Sequence, residues 1–207
     1  MNYQQLLTEI IQLKQNNHLE KPMLAAVSGI DSSGKGYISA KLAASLDSAG
    51  YKVASLGVDP WQNLPHVRMC KENAGVHFYH NAVRQTEMFE KLVLPLKEHG
   101  SINVSAQVVE QTSEAFMHRE YLFQNIDIIL LEGIFLFQAQ WMPHYDCSVW
   151  IQCNEKLALQ RALKRNQEGL DSSELIAEYQ SIYFPAQKYH QQQDNPQQLA
   201  DFLLING

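Results

Sequence analysis

The chain has 207 residues, 45% hydrophobic and 18% charged, a composition that excludes disordered and fibrous classes and fits one globular domain with its own core. With 16 Lys and Arg against 22 Asp and Glu the net charge is −6, which argues against a protein that tracks a nucleic-acid backbone. The three cysteines, Cys70, Cys147 and Cys153, are too few and too irregularly spaced for a disulfide framework or a four-ligand zinc site, and are expected to be small buried apolar residues.

Residues 1–20 contain no apolar run of secretory-signal length. Leu6, Leu7, Ile10, Ile11 and Leu13 recur at helical spacing and predict an amphipathic helix that ends before Pro22. Residues 23–27 have the apolar continuity of a buried strand, followed by a glycine-rich turn over 28–36 and a helix over 37–49 stopped by Gly50. A second strand, 51–58, ends at Asp59-Pro60. Residues 61–80, polar and rich in His and aromatic side chains, have the character of a surface loop or binding lobe. Met88, Phe89, Leu92, Val93 and Leu96 predict a helix over 86–98 that Pro95 kinks or ends.

Alternation of Ile102, Val104, Ala106 and Val108 predicts a half-exposed strand over 102–110. Residues 128–131 are apolar throughout, as in a central parallel strand, and end at Glu132-Gly133. The surrounding stretch 126–137 is broken by Asp127 and Glu132 and too short to span a bilayer, so a cytoplasmic protein without a membrane partner is expected. A strand over 146–151 precedes helices over 156–167 and 172–182, separated by Gly169, the second capped by Asp171 or Ser172. Residues 202–205 close the sheet. Strands alternating with helices predict an α/β three-layer sandwich around a central, mainly parallel sheet, in one domain spanning the chain.

Residues 29–36 read Gly-Ile-Asp-Ser-Ser-Gly-Lys-Gly and depart from the phosphate-binding pattern G-x-x-x-x-G-K-[ST] only at the last position. In such a loop, successive backbone amides surround phosphate oxygens and the following helix contributes the positive end of its dipole. Gly29, Asp31, Ser32, Ser33, Gly34, Lys35 and Gly36 are therefore the candidate nucleotide contacts, with Lys35 neutralising the β and γ phosphates. Ligands of parallel α/β sheets lie beyond the carboxyl ends of the strands, which singles out Asp59 and Glu132. Glu132 either serves Mg²⁺, a hard cation that prefers oxygen ligands, or is a solvated strand-end acid. Asp59 either orients a substrate hydroxyl and accepts its proton or is a turn residue before Pro60.

Arg161 and Arg165 are four residues apart on one predicted helix and project together, either over phosphate oxygens or as a solvated basic face. His66, His77 and His80 have no thiolate or carboxylate at ligand spacing, so substrate contact or loop packing is expected of them rather than metal binding. Within a lobe over 60–125, His66, Arg68, Tyr79, His80 and Arg84 are the candidate acceptor contacts, and Trp61, Phe78 and Tyr79 could stack on a ring or anchor the loop.

Several segments carry a more specific pattern: the loop at 29–35, Asp59, Phe78-Tyr79-His80 ahead of Leu94-Pro95-Leu96, and Leu131-Glu132-Gly133-Ile134-Phe135-Leu136. It continues through Arg161-Ala162-Leu163-Lys164-Arg165, Tyr183-Phe184-Pro185-Ala186-Gln187, His190, Asp194 and Pro196. Over residues 24–206 the chain resembles the uridine kinase and phosphoribulokinase-like family of P-loop kinases. The resemblance implies transfer of the ATP γ-phosphoryl group to a small-molecule hydroxyl, with Asp59 as base, Glu132 and Asp59 serving Mg²⁺, and a helical lid over 156–185 that carries Arg161 and Arg165. Uridine heads a set of acceptors that includes other nucleosides, sugar phosphates, pantothenate-like alcohols and glycerate. Two positions depart from the pattern: Gly36 replaces the hydroxyl residue that ligands Mg²⁺, and Pro60-Trp61 follows Asp59 where the nucleoside kinases carry an aromatic residue and then Tyr or His. The first departure suggests a second reading, a catalytically weak module that senses ATP or ADP.

Overall fold

The computed structural model describes residues 1–16, 21–110, 113–166 and 169–206. The chain opens with α1 (Tyr3–Asn16), then alternates β1 (Met23–Gly29), α2 (Lys35–Ser48) and β2 (Val53–Gly57). Four short helices follow, α3 (Pro65–Arg68), α4 (Ala74–Asn81), α5 (Gln85–Met88) and α6 (Leu94–His99), and then the strands β3 (Ile102–Val108), β4 (Met117–Phe123), β5 (Ile128–Gly133) and β6 (Cys147–Gln152). Helices α7 (Glu155–Arg165), α8 (Ser172–Glu178), α9 (Phe184–Asp194) and α10 (Pro196–Leu199) lead to the strand β7 (Phe202–Ile205).

Five strands form one sheet in the order β2-β5-β1-β6-β7, every neighbouring pair parallel. The central strand β1 is buried along its whole length because it has strands at both edges and helices on both faces. Alternate residues serve opposite layers: Met23, Ala25 and Val27 pack with Leu6 and Ile10 of α1 and Leu42 and Leu46 of α2, whereas Leu24 and Ala26 join Phe78, Phe89, Trp150 and Tyr179 on the other face. This is the expected three-layer α/β sandwich.

The stretch expected to be an irregular loop, 61–80, instead holds α3 and α4. Its polar composition conceals α4 because that helix is stabilised from outside: Phe78 is buried and Gly75 lies so close to α9 that a Cβ there would stand 2.5 Å from Pro185 Cβ. The strand predicted over 102–110 is β3, but it pairs antiparallel with β4, a strand the sequence pattern did not reveal, in a hairpin outside the main sheet.

Neither Pro95 nor Pro185 ends its helix. Each follows a widened turn, Phe89–Val93 and Tyr179–Tyr183, in which an amide reaches back five residues, Leu94 N to Phe89 O and Phe184 N to Tyr179 O. Widening removes the conflict between a proline ring and the carbonyl four residues earlier, so helical backbone runs over 85–99 and over 172–194, well beyond the predicted end at 182. Asp171 does cap α8: its carboxylate accepts from Ser173 N at 2.8 Å and Glu174 N at 2.9 Å, and Glu174 returns the bond to the Asp171 amide. The predicted end of the preceding helix, Gln167, lies outside the described residues. Of the cysteines only Cys147 is fully buried; Cys153 is half-buried, and Cys70 is exposed because it sits in the turn between α3 and α4.

Candidate active site

The loop between β1 and α2 is held in a conformation few sequences tolerate. Ser32 and Gly34 are left-handed, at φ +54° and +90°, and this alternation turns successive amides toward one side as an anion-binding nest requires. Asp31 and Tyr179 fix the turn: Asp31 Oδ1 accepts from Ser32 N at 2.7 Å, and Ser32 Oγ shares a 2.9 Å hydrogen bond with the hydroxyl of fully buried Tyr179. Ser33 N donates to Ile30 O at 3.1 Å, and Ile38 N donates to Gly34 O at 3.0 Å to open α2.

Strand register sets the acids. Glu132 pairs with Val27 on β1 and with Gly57 on β2, so its carboxylate rises at the level where the loop begins, and Asp59 follows two residues beyond Gly57. Glycines make room for the Glu132 carboxylate: a Cβ at Gly57 would stand 3.1 Å from Oε1, and one at Gly36 would stand 3.9 and 4.0 Å from the two oxygens. Burial pushes the Glu132 carboxyl above the usual carboxylate range; Asp59 and Asp31 add to the shift, and Lys35 and Arg165 oppose it.

These groups converge on one open cleft of about 350 Å³, lined by Asp31, Ser32, Gly34, Lys35, Gly36, Asp59, Glu132, Arg161 and Arg165 among the residues singled out from sequence. Gly29 and Ser33 belong to the loop but do not line the cleft. Tyr37, Gln62, Phe78 and Ile134 complete it. Phe78 and Ile134 fall in segments that the family resemblance flags, whereas Tyr37, Gln62 and the loop-bracing Tyr179 carry no signal in a single sequence. Arg161 projects from α7, which Asn154 caps by accepting from Leu157 N at 2.9 Å, and its Nη1 donates to Ser33 O at 3.0 Å. Lys164, between the two arginines, is exposed.

The five residues expected at the acceptor lie outside the wall of this cleft. Arg68 is buried and donates to Asn63 O at 3.0 Å; burial lowers its pKa, while the charges of Tyr183, Glu178 and Asp59 act the other way. Arg84 is engaged by Glu87, by Gln107 O at 2.6 Å and by the rings of Trp61 and Phe116. Tyr79 donates to Asp194 Oδ2 at 2.5 Å, and His190 Nδ1 meets the same oxygen at 2.7 Å. The Tyr79 and His80 side chains line a second cavity of about 270 Å³ with Gln85, Thr86, Phe135 and Gln138. His66 is exposed on α3. Among the described residues no group of three His, Cys, Asp or Glu is arranged to hold a metal by itself, and no helix is long and apolar enough to cross a membrane.

A central parallel sheet between helical layers, with a glycine-rich loop leading from its central strand into a helix, is an α/β three-layer fold of the P-loop type. Three solved structures share it across nearly the whole chain. A possible uridine kinase from Bacillus stearothermophilus is 18% identical with a TM-score of 0.71, over 94% of this chain and 95% of that one. A candidate fructose transport system kinase from Silicibacter sp. TM1040 is 19% identical with a TM-score of 0.77, over 98% of each chain. D-glycerate 3-kinase from Cryptococcus neoformans var. grubii is 9% identical with a TM-score of 0.62, over 93% of this chain and 88% of that one. No protein-family model matches the sequence, and no curated protein does.

Proposed function

We propose that the protein is an ATP-dependent phosphotransferase acting on the hydroxyl of a small molecule, with uridine the first acceptor to test. One observation carries the reading: Lys35 beyond β1, Asp59 beyond β2 and Glu132 at the end of β5 line a single cleft together with Arg161 and Arg165. In this reading the loop amides and Lys35 hold the β and γ phosphates, and Asp59 orients the acceptor hydroxyl and takes its proton. Phosphoryl transfer proceeds through a loose transition state, so Asp59 need not be a strong base; positioning and charge neutralisation carry most of the rate. Closure of α7 over the phosphates would exclude water and limit idle hydrolysis.

The donor set suits Mg²⁺. Glu132, raised by burial and by two neighbouring carboxylates, is relieved by a cation, and oxygen donors from Glu132 and Asp59 with water in place of a Gly36 hydroxyl meet the preference of that ion. When bound, Mg²⁺ would neutralise charge on the β and γ phosphates.

The structural neighbours are described as a possible uridine kinase, a candidate fructose transport system kinase and a glycerate kinase, which supports phosphoryl transfer and leaves the acceptor to experiment. The test is ADP release with ATP and Mg²⁺ across uridine, other nucleosides, sugar phosphates, pantothenate-like alcohols and glycerate, each against a no-acceptor control. Acceptor-dependent release is expected in the wild type and a loss of at least about 10²-fold in Lys35→Ala, with its circular dichroism unchanged. The missing hydroxyl at Gly36 favours the sensor reading, which predicts ATP binding with no acceptor-dependent turnover in any arm.

A further inference from the structure

We infer that Asn206, immediately beyond β7, is a positioning residue of the nucleotide loop and acts through the carbonyl of Ser33. The inference rests on the reading of that loop as an ATP site, and adds to it a residue delivered from the edge of the sheet. A loop that turns its amides toward phosphate turns carbonyls outward, and an outward carbonyl in a buried place needs donors of its own. Ser33 is fully buried, and its carbonyl oxygen receives two: Asn206 Nδ2 at 2.7 Å and Arg161 Nη1 at 3.0 Å.

Asn206 is itself held in place. Its amide donates to Gln152 O at 3.0 Å, extending the ladder in which Gln152 pairs with Ile205. The loop is shaped to receive its side chain, because a Cβ at Gly34 would stand 2.4 Å from Asn206 Nδ2. Gly34 therefore answers two demands, a backbone φ of +90° and the close approach of this amide. The two donors differ in one respect. Arg161 also lines the cleft and would follow charge that develops there, whereas Asn206 does not line it. Asn206 can keep the Ser33 carbonyl turned outward while Arg161 engages phosphate, so the nest stays formed through the reaction.

The test is equilibrium ATP binding to wild type, Lys35→Ala, Asn206→Ala, Asn206→Asp, Arg161→Ala and the double variant Arg161→Ala/Asn206→Ala, with melting temperatures measured alongside. Loss of one neutral hydrogen bond should weaken ATP binding about fivefold in Asn206→Ala. Asn206→Asp keeps the shape but presents only acceptors to a carbonyl oxygen, so its loss should be larger. The double variant should lose more than the product of the single losses, because both donors serve one oxygen. The KM for acceptor and the melting temperature of Asn206→Ala should stay near wild type, because Arg161 still serves the Ser33 carbonyl, and a merely structural role would not give that. Wild-type ATP affinity in Asn206→Asp, or affinity that falls only in step with melting temperature, overturns the inference while the Lys35→Ala loss keeps the ATP site standing. If wild type and Lys35→Ala bind ATP equally, or neither binds, the ATP site itself fails and the role of Asn206 with it.

Discussion

Gly36 is the position at which the loop breaks its own motif, and the structure allows the break to be repaired and measured. A Cβ there makes only ordinary van der Waals contact, 3.9 and 4.0 Å from the Glu132 oxygens, so a serine hydroxyl can reach hydrogen-bond distance of that carboxylate. Two effects then separate. The first is helical: Gly36 lies in the first turn of α2, and replacing glycine by alanine there is worth up to about 1 kcal/mol, serine roughly half as much. For a chain of this size about 1 kcal/mol raises the melting temperature by about 3 °C. The second is chemical: a protein hydroxyl in place of a water beside Glu132 is worth about 1 kcal/mol, or about fivefold in the Mg²⁺ concentration that gives half-maximal rate. Serine also donates to the ionised form of Glu132, which lowers its raised pKa and moves the acid limb of the rate profile to lower pH. Mg²⁺ titrations of ADP release for wild type, Gly36→Ala and Gly36→Ser, with melting curves, test both. Alanine should raise stability and leave the Mg²⁺ dependence alone, whereas serine should shift the Mg²⁺ dependence. Superimposed titrations for all three proteins, or an alanine shift equal to that of serine, would refute the argument.

The other predictions concern charges in the same cleft. Asp59→Asn should keep ATP affinity and lose at least about 10²-fold in turnover, since the shape persists and the proton acceptor is gone; collapse of ATP affinity with turnover per bound ATP intact would remove Asp59 from that role. Glu132→Gln should melt higher than wild type at pH 8 in the absence of nucleotide and metal. Folding raises the pKa of Glu132, so its ionised form costs stability once the pH is above the folded value, and the advantage of glutamine should vanish below the ordinary carboxylate range, where both side chains are neutral. A lower melting temperature for the variant at pH 8 counts against that sign. Arg165→Ala should reduce kcat by about tenfold or more with a smaller change in ATP affinity, because contacts to phosphate strengthen as charge develops; equal losses in both would indicate a ground-state contact only.

What one sequence determined here is what short-range chemistry governs. The apolar runs of β1 and β5, the glycines and lysine of the loop, the Asp171 cap and the strand-end positions of Asp59 and Glu132 are each written in a few adjacent residues; the structure sets β1 and β5 side by side in one sheet and Asp171 at the start of α8. Tertiary contact decided the rest. Helix α4 forms from a polar stretch because α9 covers it, and β4 is a strand because β3 lies beside it. Pro95 and Pro185 are carried inside helical segments because packing selects a widened turn that local propensity disfavours. Tyr79 and Arg84, expected at the acceptor, are held by Asp194 and by Glu87 with the Trp61 and Phe116 rings; Glu87 is a local i,i+3 partner, but Asp194, Trp61 and Phe116 are ones that no spacing rule could supply. Tyr179 and Asn206 reach the loop from 147 and 173 residues away in the chain. A hydrogen bond that closes so long a separation depends on where the sheet and its helices bring the two ends, and that is a property of the packed molecule rather than of either segment.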